Sequence, residues 1–168
     1  PIYFMLLSLF FGSNLFGSPW EKQTILTEFY SEDASTGDIN GDGAVDLVYG
    51  PFWWEGPAFE KQHRFAPGDP FDGYAGYSDN FFTFVHDFDE DGDHDIVVFG
   101  FPGQEVRLYL NPGSQSAADS ADWEMHQNIE QLAHESPYFI DLIPGGLPEI
   151  DGTRDTNNGY NKAAENPT

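Results

Sequence analysis

The chain has 168 residues, with 39% hydrophobic positions and 17% aromatics, which excludes a wholly disordered polypeptide and suits one domain or part of one. Its 29 acidic side chains outnumber 6 basic ones, a formal charge of −23 that excludes docking on nucleic acid or an anionic membrane surface and calls for cations. With no cysteine, neither disulfides nor thiolate metal sites can hold the fold.

Residues 1–18 form an apolar segment, from Ile2 to Phe11 interrupted by Ser8, that resembles the hydrophobic region of a secretory signal with cleavage near Gly17 or Ser18. A buried strand or helix is the alternative. The run falls short of the ~18 residues of a spanning helix, so no stable membrane span is expected. A secreted, cell-surface or periplasmic location follows, and the start at Pro1, without Met or a basic leader, is expected to be that of a fragment.

Residues 19–150 repeat. DINGDGAVDLVYGPFWWEGP begins at Asp38 and DFDEDGDHDIVVFGFPGQEVRLYLNPG at Asp87, 49 residues later; a weaker copy, DLIPGGLPEI, begins at Asp141, a further 54 residues on. A second element keeps step: WEKQTI at Trp20, FEKQHRF at Phe59 and WEMHQNI at Trp123 precede the loop aspartates by 18, 28 and 18 residues. The extra residues of the middle unit are assigned to GDPFDGYAGYSDN, a glycine- and aspartate-rich loop.

Within each unit the pattern predicts strand, aspartate loop, strand, turn, strand, turn, strand. Leu47 to Tyr49 and Ile96 to Phe99 are β-prone runs, Gly50-Pro51 and Pro102-Gly103 are turns, and Phe52 to Trp54 and Val106 to Leu110 are the next strands. Gly56-Pro57 and Asn111-Pro112-Gly113 turn again, Gln115 to Asp122 is a polar loop, and residues 151–168 form a polar tail expected to be disordered. Four strands in ~50 residues describe one blade of a β-propeller, so the predicted class is all-β, a partial propeller of two to three blades with four antiparallel strands each. The Trp20 segment is expected to be a strand that closes the ring by joining the last blade.

The chemistry resides in the loops. Asp38, Asn40, Asp42 and Asp46 stand at positions 1, 3, 5 and 9 of the first, and Asp87, Asp89, Asp91 and Asp95 at those of the second. Position 7, Ala44 and Asp93, is assigned a backbone carbonyl ligand, and position 6 is Gly43 or Gly92, where the chain turns sharply. An all-oxygen set fits calcium, which takes about 6 to 8 oxygens; magnesium demands a stricter octahedron, zinc prefers His or Cys, and His94 is expected to point away from the ion. Position 12 is Tyr49 or Val98 rather than an acid, and Gly and Pro follow, so an EF-hand is rejected. The third copy keeps Asp141 and Glu149 but has Ile143 and Gly145 between them, so no tight site is expected there.

These loops, with LVYGPFWWEGP and IVVFGFPG, resemble FG-GAP and VCBS repeat proteins, whose integrin-α-like propellers carry DxNxDGxxD calcium loops. The likeness covers about Trp20 to Ile150 and is greatest to secreted bacterial members of the planctomycete type, with a WWEG-like strand and an SDNFFTFV-like segment. It departs from the pattern in the third loop and the tail. The resemblance implies extracellular binding rather than a set reaction.

The functional expectation is therefore a noncatalytic calcium-binding module, with calcium stabilising the inter-strand loops and the surface engaging an extracellular glycan or protein, as in cell adhesion. The alternative is part of a secreted calcium-dependent carbohydrate-active enzyme, a lyase or hydrolase, with His86, His63, Lys61 or Tyr77 as candidate base. Trp53, Trp54, Tyr74 and Tyr77 could stack on sugars, although packing between blades is the plainer use of the tryptophans. Adjacent tryptophans on a strand face opposite sides, so one is core if the other is exposed.

Overall fold

A computed structural model describes residues 22–132, 137–140 and 149–151. The signal-like segment, Trp20, the loop that begins at Asp141 and the tail beyond Asp151 lie outside these residues. The described residues are all-β, with two four-stranded antiparallel sheets and one two-stranded hairpin. They do not close a ring, and among them no helix is long and apolar enough to cross a membrane.

The first blade orders β1 (Ala34–Gly37), β2 (Asp46–Tyr49), β3 (Phe52–Trp54) and β4 (Gln62–Arg64) side by side. The second orders β5 (Phe82–His86), β6 (Asp95–Phe99), β7 (Gln104–Leu110) and β8 (Glu124–Leu132) in the same way. β9 (Tyr138–Ile140) and β10 (Glu149–Asp151) form the hairpin, so β10 includes the first residue of the expected tail. The three first hairpins share one register: Gly37 pairs with Asp46, His86 with Asp95 and Ile140 with Glu149. An aspartate loop therefore spans the same interval in units one and two, and its last acid is also the first residue of the following strand, one residue earlier than the apolar runs suggest.

The strand expected at Trp20 is not seen in its described part. Residues 22–27 are irregular, and Gln23 ties this segment to blade one through a side-chain bond to Ala58 O (2.9 Å) rather than a ladder. Irregular backbone of this kind satisfies its polar groups with solvent and side chains.

One core joins the blades. Val48 and Trp53 from blade one meet Ile96, Val98 and Tyr109 from blade two, with Phe65 and Trp123 between them. Phe65 packs edge-on against Tyr109 and tilted against Trp123, at centroid distances of 5.2 and 5.7 Å. A second cluster, Val97, Phe99 and Val106, covers the opposite face of blade two, and Phe139 of β9 rests on Phe84 and Phe88 there. With both faces covered, all five residues of β6 are buried, which is why that strand reads as an unbroken apolar run after its aspartate.

Both Trp53 and Trp54 are buried, at 0% and 3% exposure, because each face of β3 is packed. Trp53 stacks on His63 (4.3 Å) and Trp54 lies edge-on to Phe52, so both serve as packing. Tyr74 and Tyr77 remain exposed. The polar loop 115–122 is less detached than its composition implies: stacked turns drive Ala117 fully into the shared core.

Candidate metal centre

Each aspartate loop curls because its own carboxylates collect backbone N–H groups. In loop one Asp38 accepts from Asp42 N (3.1 Å) and Gly43 N (2.9 Å), Asn40 Oδ1 accepts from Asp42 N (3.1 Å), and Asp42 accepts from Ala44 N (2.7 Å). Loop two repeats the set: Asp87 accepts from Asp91 N (3.1 Å) and Gly92 N (2.9 Å), Asp89 from Asp91 N (3.2 Å), and Asp91 from Asp93 N (2.9 Å). An ionised carboxylate offers about four lone-pair sites, so each acid keeps acceptor capacity after orienting the loop.

Left-handed backbone completes the curl. Gly43 and Gly92 have φ of 86° and 98°, as expected of position 6. Position 4 is left-handed too, with Gly41 at 69° and Glu90 at 61°. A residue bearing a Cβ is strained in this region, so Glu90 carries a strain that Gly41 avoids.

Position 9 is the anchor. Asp46 and Asp95 are almost wholly buried, and each divides its two oxygens between backbone donors. Asp46 accepts from Ile39 N and Gly56 N, both 2.8 Å away, and Asp95 from Phe88 N (2.9 Å) and Asn111 N (2.8 Å). Burial pushes both carboxyls above the usual aspartate range against the opposing pull of these N–H groups, and the charges of neighbouring loop acids add to the rise. The second donor in each case, Gly56 or Asn111, immediately precedes a proline after the third strand. That shared Xaa-Pro step was the sequence signal for it.

In loop two, ligand oxygens of Asp87, Asp89 and Asp95 lie within 4.8 Å of one another. Asp91 falls outside this trio, and the Asp93 side chain turns away to Ser114 Oγ. The corresponding positions of loop one are Asp38, Asn40 and Asp46, with an amide in place of the middle carboxylate. Three carboxylates so close repel one another in the absence of a cation, and a donor set made only of oxygen suits a hard ion.

The two loops also touch each other. His94 Nδ1 lies 3.0 Å from Asp38 O, directed to loop one instead of into its own loop. Asn111 Nδ2 donates to Ile39 O (2.9 Å) and to His94 O (3.0 Å), so one amide clamps both loops. Spacing within either loop carries no trace of this link, because it joins residues 72 positions apart.

The residues considered as a catalytic base are placed as follows. Lys61 Nζ and His63 Nε2 both reach Glu55, at 2.8 and 2.9 Å, His86 packs on Phe88 and Phe139, and Tyr77 stacks on Phe101 at 5.2 Å. No family model, curated protein or solved structure matches this chain.

Proposed function

We propose that the chain is a noncatalytic, calcium-stabilised blade module of FG-GAP/VCBS type from a secreted or surface protein, with its blades presenting a binding surface to a glycan or protein. The observation that carries this reading is the convergence of Asp87, Asp89 and Asp95 at the mouth of β5 and β6. The same hydrogen-bonded curl in loop one supports it, since one set of bonds is built twice on unlike neighbouring residues. Asp38, Asn40, Asp42, Asp46 and the carbonyl of Ala44 would hold one ion; Asp87, Asp89, Asp91, Asp95 and the carbonyl of Asp93 would hold the other. Calcium would supply the positive charge that a loop of clustered acids lacks, and the chain's own N–H groups would hold the carboxylates in place.

An ion bound only by the folded state stabilises it by RT ln(1 + [L]/Kd), about 2.7 kcal/mol at ~100 times Kd. Calorimetric titration of chelator-stripped protein with calcium should show saturable uptake, and excess EDTA should lower the melting temperature. A folded sample that takes up no calcium, and melts alike with and without chelator, would falsify the reading.

A further inference from the structure

The blade ends remote from the aspartate loops hold a cavity of about 280 Å³. It lies between the turn that follows β2 and the segment that leads into β5, and Arg107 of β7 reaches into its wall. Tyr30 and Phe71 supply aromatic surface, prolines complete the wall, and Asp69, Asp79 and Asn80 add polar groups beside Arg107. Its size is close to the lower end of the ~300–1,000 Å³ typical of small-molecule sites, room for a single ring.

The polar groups are held in place by bonds that leave ligand-binding capacity over. Arg107 Nη2 donates to Asp79 O (2.6 Å) and Asn80 Oδ1 (2.9 Å). Asn80 O in turn accepts from Glu32 N (3.1 Å), Ser31 Oγ (2.8 Å) and Ser78 Oγ (2.9 Å). Arg107 Nε is buried out of a ligand's reach, 3.8 Å from a Glu105 carboxylate oxygen, and fixes the guanidinium in the wall. The Asp69 and Asp79 carboxylates and the Asn80 Nδ2 hold no hydrogen bond among the described residues, and the three residues line the cavity together with Arg107. Two carboxylates outnumber the one guanidinium and disfavour an anionic ligand, while vicinal hydroxyls can donate to the acids and accept from the amide and guanidinium.

We propose that this cavity binds a single pyranose without an acid group, its hydroxyls meeting Asp69, Asp79, Asn80 and Arg107 and its C–H face lying against Tyr30 or Phe71. The inference rests on the binding role proposed above but not on the ion, which would sit at the other end of the blades. It is tested by saturation-transfer NMR and calorimetry on the whole chain with a panel of methyl hexopyranosides, and with glucuronate and glucosamine as charged counterparts. At least one neutral pyranoside should bind saturably and more tightly than glucuronate. Asp69→Ala and Asp79→Ala should each weaken it tenfold or more without moving the melting temperature, since neither side chain holds a described structural bond. A disaccharide that binds as well as its terminal unit upholds the site as a reader of chain ends, and one that is shut out upholds it as a site for free sugar. Absence of binding by every neutral pyranoside, preference for glucuronate, or binding that survives both substitutions overturns the proposal. Calcium uptake measured on the same sample tells these failures apart from failure of the ion reading.

Discussion

The two aspartate loops share one set of backbone bonds and differ in charge, so they separate what folds a loop from what the loop holds. Loop one places 3 acids in nine residues and loop two 6, yet each anchor, Asp46 or Asp95, makes a pair of backbone bonds, one buried and one half-buried. The curl is thus a property of the N–H groups, left-handed positions and anchor acid that the loops have in common. The additional acids of loop two add repulsion without adding curl, and a cation should matter more there.

The largest effects should treat the loops alike. Asp46→Ala and Asp95→Ala each leave one buried and one half-buried N–H group without an acceptor, and at ~1–3 kcal/mol for the buried group each should lower stability by about 2–3 kcal/mol in urea melts. If either substitution were silent, the shared anchor would not be what forms the curl. Asn111→Ala removes the amide that joins the loops and should lose about 2 kcal/mol; a loss confined to loop-two probes, with loop-one amide exchange unchanged, would break the link.

Differences between the loops should appear next. Asp89→Asn gives loop two the amide found in loop one and should weaken calcium there about tenfold, some 1.4 kcal/mol, while Asn40→Asp strengthens loop one. Equal affinities before and after the exchange, by calorimetry, would remove charge as the distinction. Glu90→Gly should raise the melting temperature of the calcium-free protein, because it relieves a left-handed side chain worth about 1 kcal/mol and one unit of repulsion. Gly41→Ala should do the opposite, since its Cβ would crowd Ser114 at 2.9 Å.

The smallest effect is a pH slope. Asp46 and Asp95 have folded-state pKa values above the ordinary 3.8, so the folded chain binds protons more readily than the unfolded one. Without calcium, their burden on the fold should therefore be present at neutral pH and relieved as pH falls through the raised values towards 3.8. With calcium bound, protons compete with the ion and the slope should flatten or reverse. A calcium-free melting temperature whose dependence on pH is the same in Asp95→Asn as in the parent would show that this anchor contributes nothing to it.

Much of the architecture was legible because it is local. Side chains alternate along a curling loop, glycine marks position 6, and the apolar runs at Val48 and Val97 follow directly, so the loop, strand and turn order could be read along the chain. The strand expected at Trp20 shows the limit of that reading. Its described residues, 22–27, are irregular despite their likeness to the segments at Phe59 and Trp123, because a strand needs a ladder partner that local sequence does not supply.

What the sequence by itself determined is the repeated blade unit and the oxygen-rich character of its two loops, since both depend on spacings within about ten residues. Tertiary structure alone decided that both tryptophans of β3 are buried, that Ala117 of a polar loop enters the core, that Asn111 clamps the two loops, and that Arg107 meets Asp79 and Asn80 beside a cavity. Each depends on which surfaces of separate blades come together, and that is settled by packing and by satisfying buried polar groups across long stretches of chain.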